Sequence, residues 1–392
     1  MKYILSVTLS CFFIISCGGG GGGSESVVSP SISISGPSTI SWSSSGPVGC
    51  TGSSIDNCIK LTANVSDPQN RISTAQWQNL NTLGGPCYPV TTNANTMSVP
   101  LYCTSSGYSC QYSYDVRWYT GTRYEYIQPF HTVNVQGPIP CAAGSAIDGY
   151  IQEAKIFADI NFNLKQDSNE PVVVSNQLGQ FRFNQGINDG TILILKGGID
   201  STTQVEFPKN YTLIGRASNQ EKIVISPIST INFFMPSDYS ANDDFDFKSF
   251  DVFYDDPLIQ ITSPEAIKVL ETNMRISILA ESLSRITYQD DYIEIYKEIT
   301  NQLIDAGLGL QDISSTKLIT NAILNISSIN GLSKVNVNNT SLALSNFLNG
   351  IIVDDTNQYV DMFNHGINVL PLQLAQFSDG KDIDISMYIN KK

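Results

Sequence analysis

The spacing of apolar residues changes along the chain. In residues 31–136 apolar and polar side chains alternate in short runs, most clearly at residues 112–118, and turn residues separate the runs. Alternation with a period of two predicts short β-strands. It continues through residues 142–226, but from Ser263 onward apolar residues recur every three or four positions. That spacing is typical of amphipathic helices, so the pattern predicts a β-rich first part and a helical second part.

Several helix ends can be placed from capping residues. Ser263 is a favourable N-cap, Pro264 suits the first turn, and Gly307 follows the second apolar stripe, where a helix typically ends. The stripes predict helices over about 263–286, 290–306, 314–328 and 340–352, with a fifth from about 355 to the residue before Pro371. Alternation over residues 383–387 predicts a final strand.

The first β-region, residues 31–136, has several short strands at short intervals, which favours a β-sandwich. It resembles immunoglobulin-like and polycystic-kidney-type modules at the level of fold. Its many aromatic residues indicate either a glycan- or protein-binding face, or the core and one solvated face of a small sandwich. They are Tyr102, Tyr108, Tyr112, Tyr114, Trp118, Tyr119, Tyr124 and Tyr126.

One stretch of the second β-region carries a specific chemical hypothesis. From Asp159 to Glu170, oxygen-bearing side chains occupy positions 1, 3, 5, 9 and 12, and Lys165 at position 7 offers its main-chain carbonyl. This is the ligand spacing of a loop around Ca²⁺, a hard ion that takes oxygen ligands. The alternative is an Asx-rich hairpin loop without a metal, since Asn and Asp favour turns. The candidate ligands are Asp159, Asn161, Asn163, Lys165, Asp167 and Glu170.

The residues around this loop resemble a known kind of domain. The motifs that carry the resemblance are Asp148-Gly149-Tyr150, the acidic run itself, Glu170-Pro171 and Gly179-Gln180-Phe181. Together they resemble the prealbumin-like B-type domains of serine–aspartate-repeat adhesins and carboxypeptidase-regulatory-like modules. The resemblance implies a β-sandwich whose loop often binds calcium, so a structural Ca²⁺ is the expected cofactor. The chain departs from the pattern at Leu164, where such loops usually carry glycine for a positive φ.

Between residues 227 and 262, aspartates cluster with aromatic residues, which indicates a solvated acidic linker or a second cation site. The predicted fold class is therefore a multidomain β + α protein with an N-terminal Ig-like β-sandwich, a second prealbumin-like β-sandwich and a C-terminal helical bundle. The predicted segments are a lipoprotein signal peptide (1–16), a Gly/Ser-rich tether (17–30), the Ig-like domain (31–136), the prealbumin-like domain (142–226), the linker (227–262) and the helical domain (263–392).

The N-terminus indicates export. Lys2 precedes an apolar run, residues 3–15, that has the length of a secretory signal and is too short to span a membrane. Residues 14–17 resemble a bacterial lipobox, which implies lipidation of Cys17 and anchoring to the outer membrane or cell surface. The alternative is an ordinary signal peptide with a chance cysteine. A glycine run, residues 18–23, then forms a flexible tether.

Six further cysteines all precede residue 142. Cysteines confined to one segment of an exported protein predict disulfides, and no paired CxxC spacing favours a metal site. Six cysteines allow fifteen pairings, and the sequence does not choose among them. The candidates are Cys50, Cys58, Cys87, Cys103, Cys110 and Cys141.

The charge and the histidine content of the chain argue against two classes of function. A formal charge of −14 argues against nucleic acid as a partner, because nucleic-acid binding needs a basic patch. The only two histidines, His131 and His365, fall in different predicted domains, and no catalytic motif is present, so no enzyme is expected. The favoured function is a calcium-braced structural or adhesive envelope lipoprotein. The alternatives are a glycan-binding or polysaccharide-processing accessory, in which Tyr112 or Trp118 contacts sugar, and an enzyme with its site in the helical domain.

Overall fold

The computed structural model describes residues 28–43, 46–48, 59–80, 87, 91–92, 94–99, 101, 107–139, 141–218, 222–245, 250–259, 263–331, 336–353 and 356–389. The signal peptide, most of the tether and four cysteines on which predictions depend (Cys17, Cys50, Cys58 and Cys103) lie outside these residues. The described residues form two regions, called here the N-terminal sandwich (28–139) and the body (141–389). None of the helices among the described residues has the length and hydrophobicity of a transmembrane span.

The N-terminal sandwich consists of two β-sheets. Its strands are β1 (Ser31–Ser35), β2 (Thr39–Ser43), β3 (Gly46–Val48), β4 (Ile59–Ser66), β5 (Ile72–Asn79), β6 (Thr91–Thr92), β7 (Thr96–Val99), β8 (Tyr108–Tyr119), β9 (Tyr124–Ile127) and β10 (Phe130–Gln136). One sheet has the order β1-β4-β7-β6 and the other the order β3-β2-β10-β8-β5, with β9 paired to β8. Paired strands are antiparallel except β2 and β10, which are parallel.

Side-chain alternation brings apolar residues of both sheets together. Leu61 of the first sheet and Tyr112 of the second are buried in one cluster. A disulfide between Cys87 and Cys110 lies in the same cluster, and the Tyr112 hydroxyl donates to the Cys87 carbonyl at 3.0 Å. Cys141 is also disulfide-bonded. A β-region with disulfides is therefore confirmed, whereas its Ig-like class stays a prediction.

The body begins with short strands that form three sheets. The strands are β11 (Cys141–Ala146), β12 (Ile151–Gln152), β13 (Lys155–Asp159), β14 (Val172–Val174), β15 (Gln180–Gly186), β16 (Ile192–Lys196), β17 (Ile199–Asp200), β18 (Thr212–Arg216) and β19 (Ile223–Ile225). Their orders are β14-β13-β16-β18, β15-β11-β19 and β12-β17. The four-stranded sheet holds the acidic loop, because its strands β13 and β14 flank that loop.

The rest of the body is helical. The helices are α1 (Pro227–Phe234), α2 (Ala241–Phe245), α3 (Pro264–Thr287), α4 (Tyr292–Ala306), α5 (Thr316–Ile329), α6 (Val337–Asn349), α7 (Thr356–Asn364), α8 (Leu370–Ser378) and α9 (Ser386–Ile389). A 3₁₀ turn (Leu310–Asp312) follows α4, and a π-helical turn (His365–Val369) joins α7 to α8.

One apolar cluster extends from the strands of the body into its helices. It joins Phe181 of β15 and Leu193 of β16 to Ile278 of α3 and Phe363 of α7. The opposite face of the four-stranded sheet is also covered, since Ile194 and its neighbours pack against α1 and α4. Burial on both faces explains why β16 is a continuous apolar run and does not alternate.

The segment predicted as a linker contributes to this core. Residues 227–234 form α1, which begins with a capping box between Ser226 and Ser229. Ile228 and Ile231 of α1 belong to the shared cluster. The start of the segment is therefore a structural element between sheet and helices, while the other predicted domain boundaries stay predictions.

The helix ends follow the capping residues in two cases and depart from the sequence prediction in two others. Ser263 caps α3 through its hydroxyl, which accepts from the Ala266 N–H, and Gly307 ends α4 with a φ of 63°. The predicted stop before Pro371 is wrong, because this proline lies in the first turn of α8, where it needs no N–H donor. The predicted strand over 383–387 is also wrong, because residues 386–389 form α9.

Candidate metal centre

The acidic loop closes a β-hairpin. Strands β13 and β14, on either side of it, pair antiparallel with Phe157 opposite Val172. The hairpin is extended by a hydrogen bond from the Ala158 N–H to the Pro171 carbonyl. The flanking strands therefore hold the two ends of the loop next to each other.

The first and last carboxylates of the loop are buried and bind main-chain N–H groups. Asp159 accepts from Asn163 at 3.1 Å and from Leu164 at 2.8 Å. Glu170 accepts from Ile160 at 3.0 Å and from Asp167 at 2.9 Å. Asp159 therefore holds the middle of the loop, and Glu170 connects the start of the loop to its last third.

The middle side chains converge on Asp167. The side-chain amides of Asn161 and Asn163 both donate to Oδ2 of Asp167, at 2.7 and 2.8 Å. Their own carbonyl oxygens accept from main-chain N–H groups, Asn161 from Asn163 and Asn163 from Lys165. The side chains at positions 3, 5 and 9 of the run thus meet at one carboxylate oxygen. The side chain of Lys165 is exposed, and the role of its carbonyl as a ligand stays a prediction.

The electrostatics of the loop favour a cation. Burial raises the pKa of Glu170, and the nearby charges of Asp159 and Asp167 add to that rise against the opposing backbone hydrogen bonds. Three carboxylates that influence one another in this way repel, and a divalent ion relieves the repulsion. Carboxylate and amide oxygens are also the donor types that Ca²⁺ prefers. The composition of the loop therefore fits calcium.

The arrangement of these donors is that of a hydrogen-bonded turn. Among the described residues, no three His, Cys, Asp or Glu side chains are grouped so that they could hold a metal ion. To bind calcium, the amides of Asn161 and Asn163 have to release Asp167, so that their oxygens and its carboxylate can share one ion. The ligand assignments, including Glu170 as bidentate, stay predictions.

Leu164 takes the conformation that usually calls for glycine. Its φ is 58°, in the left-handed region, and its half-buried side chain packs against the cluster of Phe157 and Ile293. Packing against the sheet and α4 offsets a backbone cost of about 1 kcal/mol or more. The departure from glycine therefore anchors the loop to the helical part of the body.

A second acidic site was missed by the sequence analysis. Asp148 is fully buried at the contact between strands and α3, where Tyr211 donates to it at 2.9 Å and the Ser277 hydroxyl also donates to it. Burial raises the pKa of Asp148 to about 8. Nearby, burial raises the pKa of Asp200 to about 6. The sequence signal for this site is the glycine that follows Asp148. In the structure Gly149 has a φ of 69°, and a Cβ there would lie 2.4 Å from the Asp200 carboxylate.

This buried cluster has the features of a structural contact. Asp148, Tyr211 and Ser277 are inaccessible to solvent, so a substrate does not reach them. The histidines also serve local contacts: Nε2 of His131 lies 3.0 Å from the Pro37 carbonyl, and Nε2 of His365 lies 2.6 Å from the Tyr388 hydroxyl. These contacts bring no nucleophile and base together.

The aromatic residues divide between the two faces of β8. Tyr112 and Trp118 are buried, so the assignment of sugar contacts to these two side chains is wrong. Tyr119, Tyr124 and Tyr126 are exposed on the opposite face. Alternation predicts that successive residues face opposite sides, but it does not say which side packs inward.

Comparisons with known proteins establish no family. No protein-family model matches the chain, and no curated protein matches it. Among solved structures, the chain is similar to BcpA, the major pilin subunit of Bacillus cereus, with 10% identity over 50% of this chain and 69% of that chain, at a TM-score of 0.20. It is also similar to a 35 kDa C-terminal fragment of the major pilin GBS80 of Streptococcus agalactiae, with 8% identity over 51% of this chain and 100% of that chain, at a TM-score of 0.20. TM-scores this low establish no common fold.

Proposed function

We propose that the protein is a non-enzymatic lipoprotein of the bacterial cell envelope, a structural or adhesive surface module braced by calcium. The lipobox-like residues 14–17 support anchoring through lipid on Cys17. The disulfide between Cys87 and Cys110 supports export to an oxidising compartment. The acidic loop supports the calcium brace.

The observation that carries the proposal is that oxygen-bearing side chains of the loop lie close together around Asp167, in hydrogen bonds that a calcium ion would replace. Its Oδ2 receives two side-chain amides, and the pKa of Glu170 is raised in part by the charges of Asp159 and Asp167. When bound, calcium would offset the negative charges of Asp159, Asp167 and Glu170. The residues that would hold it are Asp159, Asn161, Asn163, Asp167 and Glu170, with the Lys165 carbonyl.

The position of the loop explains how a bound ion stabilises the body. The loop joins β13 to β14 at the edge of the four-stranded sheet, and Leu164 contacts the cluster between that sheet and α4. Ordering the loop therefore holds Leu164 in place and strengthens the contact of sheet with helices. This role is that of a brace, and binding changes only the side-chain contacts within the loop.

Thermal unfolding of the full chain with calcium or with a chelator tests the brace. A ligand at 100 times its Kd that binds only the folded state stabilises by about 2.7 kcal/mol, so calcium is expected to raise the Tm of the body. Circular dichroism at 222 nm reports this transition, because the helices are in the body. Asp167→Asn, which preserves shape and removes one charge, is expected to reduce the shift.

Asp238→Asn is the matched control, because Asp238 is exposed and lies outside the loop. It is expected to leave the calcium response intact. The calcium brace is rejected if millimolar calcium leaves the Tm of the parent chain unchanged, or if Asp238→Asn and Asp167→Asn reduce the shift equally.

The anchor is tested separately. Cys17→Ser removes the sulfur that would carry lipid and is expected to move the protein from the membrane fraction to the soluble fraction of cells. A protein that stays with membranes after this substitution is not held by lipid on Cys17.

A further inference from the structure

The outer face of the β8–β9 hairpin carries a group of exposed aromatic side chains. Arg117 is opposite Tyr126 in the register, and Tyr119 is opposite Tyr124. Opposed residues in paired strands point to the same side, so these four side chains share one face. The neighbouring residues Val116 and Trp118 point to the other side and are buried.

The three tyrosine side chains of this face are exposed to solvent. The exposed fraction is 43% for Tyr119, 49% for Tyr124 and 71% for Tyr126. The rings of Tyr119 and Tyr124 are 5.1 Å apart between centroids. Adjacent exposed aromatic rings form a patch of the kind that marks interaction sites on protein surfaces, so we interpret this face as a binding surface.

Arg117 lies among these rings. Its guanidinium carbon is 3.9 Å from the centroid of Tyr124 and 5.7 Å from that of Tyr126. In the part of the chain that the structure describes, no carboxylate lies within ion-pair distance of Arg117, and its buried Nε has no hydrogen-bond partner. By contrast, Arg123 at the turn of the same hairpin is paired with Glu125 at 2.8 Å.

We propose that this face, formed by Arg117, Tyr119, Tyr124 and Tyr126, binds an anionic polysaccharide. Flat tyrosine rings accept the apolar faces of sugar rings by stacking, and sugar hydroxyl groups remain free for hydrogen bonds. The unpaired guanidinium is the complement of a sugar carboxylate, which it binds through two parallel N–H donors.

Polar side chains surround this arrangement. Asp115 lies two residues before Arg117 on the same strand, and exposed Gln76 lies opposite it on β5, so both are on the outer face. Amide and carboxylate groups beside aromatic rings give sugar hydroxyl groups their donors and acceptors. The overall charge of −14 repels a polyanion at long range, but at physiological salt such repulsion is screened beyond about 8 Å.

Affinity electrophoresis of the full chain tests this site, with polygalacturonate, a polymer of uronic acid, cast in the gel. The parent chain is expected to be retarded. Tyr126→Ala is expected to weaken binding about tenfold, the loss typical of one stacked ring. Arg117→Gln is expected to weaken binding to polygalacturonate and to abolish any preference for it over dextran, a neutral glucose polymer.

Tyr288→Ala is the matched control, since Tyr288 is 62% exposed but lies in the body. It is expected to bind as the parent does. Because Tyr126 is the most exposed ring of the face, its replacement is expected to leave the thermal unfolding of the sandwich unchanged.

Several results overturn the proposal. They are an absence of retardation by polygalacturonate, unchanged binding in Tyr126→Ala, and equal retardation by polyglutamate, which has the charge but no sugar rings. A loss of self-association in Tyr126→Ala, measured by sedimentation, assigns the face to a second copy of the chain instead. None of these results depends on calcium or on Cys17.

Discussion

The N-terminal sandwich and the body bury their apolar residues in different ways. The sandwich has two small clusters, one around Leu61 and Tyr112 and the other around Tyr114 and Val116. A disulfide reinforces the first of them. The body has a cluster that passes from sheets into helices without interruption. A disulfide cross-link therefore stabilises the small core of the sandwich. The body is stabilised by a large core that its sheets and helices share.

The strand sequences explain this difference. Strand β8 of the sandwich alternates, so one face packs and the other carries the exposed tyrosines. Strand β16 of the body is apolar at four consecutive positions, because α1 and α4 cover the face that would otherwise be solvated. A sheet with a free face keeps a surface for binding, whereas a sheet covered on both faces does not.

The largest expected effect comes from removing a large buried side chain from the core that the sheets and helices of the body share. Phe363 is buried between Phe207 and Tyr359, so Phe363→Ala is expected to cost about 3–5 kcal/mol of unfolding free energy. The three tryptophans of the chain, Trp42, Trp77 and Trp118, all lie in the sandwich, and the Trp42 ring also lies next to Gly186 of the body, so their fluorescence reports mainly the sandwich. Urea unfolding by circular dichroism at 222 nm is expected to shift, and tryptophan fluorescence is not.

Leu324→Ala on the exposed side of α5 is the control for this variant and is expected to change the free energy by less than about 0.5 kcal/mol. Hydrogen exchange of β16 amides shows whether the strands of the body open with the helices. If β16 keeps its protection while the helices unfold in Phe363→Ala, the body is not one cooperative unit.

Removing the disulfide is expected to have the next largest effect, now on the sandwich. The bond between Cys87 and Cys110 closes a loop with a sequence separation of 23, for which chain entropy predicts about 3 kcal/mol. In the double variant Cys87→Ala, Cys110→Ala, the fluorescence transition is expected at lower urea and the 222 nm transition unchanged. A shift of both signals by the same amount contradicts the separation of the two regions.

The buried carboxyl of Asp148 gives the body a pH dependence. Its pKa is about 8 in the folded state, raised by burial from the usual 3.8 of an aspartate, so the folded state keeps a proton that the unfolded chain releases. The stabilisation that this retained proton gives the folded state is complete below about pH 4. It decreases by about 1.4 kcal/mol per pH unit between pH 4 and pH 8 and is lost once the pH has risen through 8. The pKa of Asp200, about 6, adds a loss of the same sign at lower pH.

Urea unfolding at pH 6 and pH 8, followed at 222 nm, measures this slope. Asp148→Asn keeps the shape and the hydrogen bonds but does not ionise, so the slope is expected to decrease. Asp361→Asn at an exposed position is the control and is expected to keep the parent slope. A body that gains stability between pH 6 and pH 8 contradicts the assignment of a protonated Asp148.

The smallest expected effect concerns Leu164. Leu164→Ala loses the packing on Phe157 and Ile293 and keeps the positive φ, whereas Leu164→Gly loses the same packing and relieves the backbone. The glycine variant is therefore expected to be more stable than the alanine variant by about 1 kcal/mol in thermal unfolding at 222 nm. Equal stabilities would mean that the loop relaxes away from this conformation.

Some of these features follow from local sequence. The caps at Ser263 and Gly307 depend on a few neighbouring residues, and both occur where the sequence predicts them. The hairpin around the acidic loop is also local, because strands on both sides of an Asx-rich run leave few other arrangements. The calcium ligands are named by spacing alone and stay predictions.

Other features depend on contacts between distant residues. Alternation in β8 marks two faces, but only the packing against Leu61 decides that Tyr112 is buried and Tyr119 exposed. The pairing of Cys87 with Cys110 is one of many that six cysteines allow. Pro371 does not end the helical segment, because the preceding π-helical turn leads directly into α8 and places the proline in the first turn of that helix.

The sequence by itself determined the division into a β-rich and a helical part, the helix ends at Ser263 and Gly307 and the position of the acidic loop, because backbone preferences and capping act over a few residues. Only the tertiary structure decided that α1 joins sheet and helices in one core and that Asp148 is buried against Ser277 and Tyr211. The physical reason is that burial depends on which surfaces meet, and residues 148 and 277 meet across more than a hundred intervening positions.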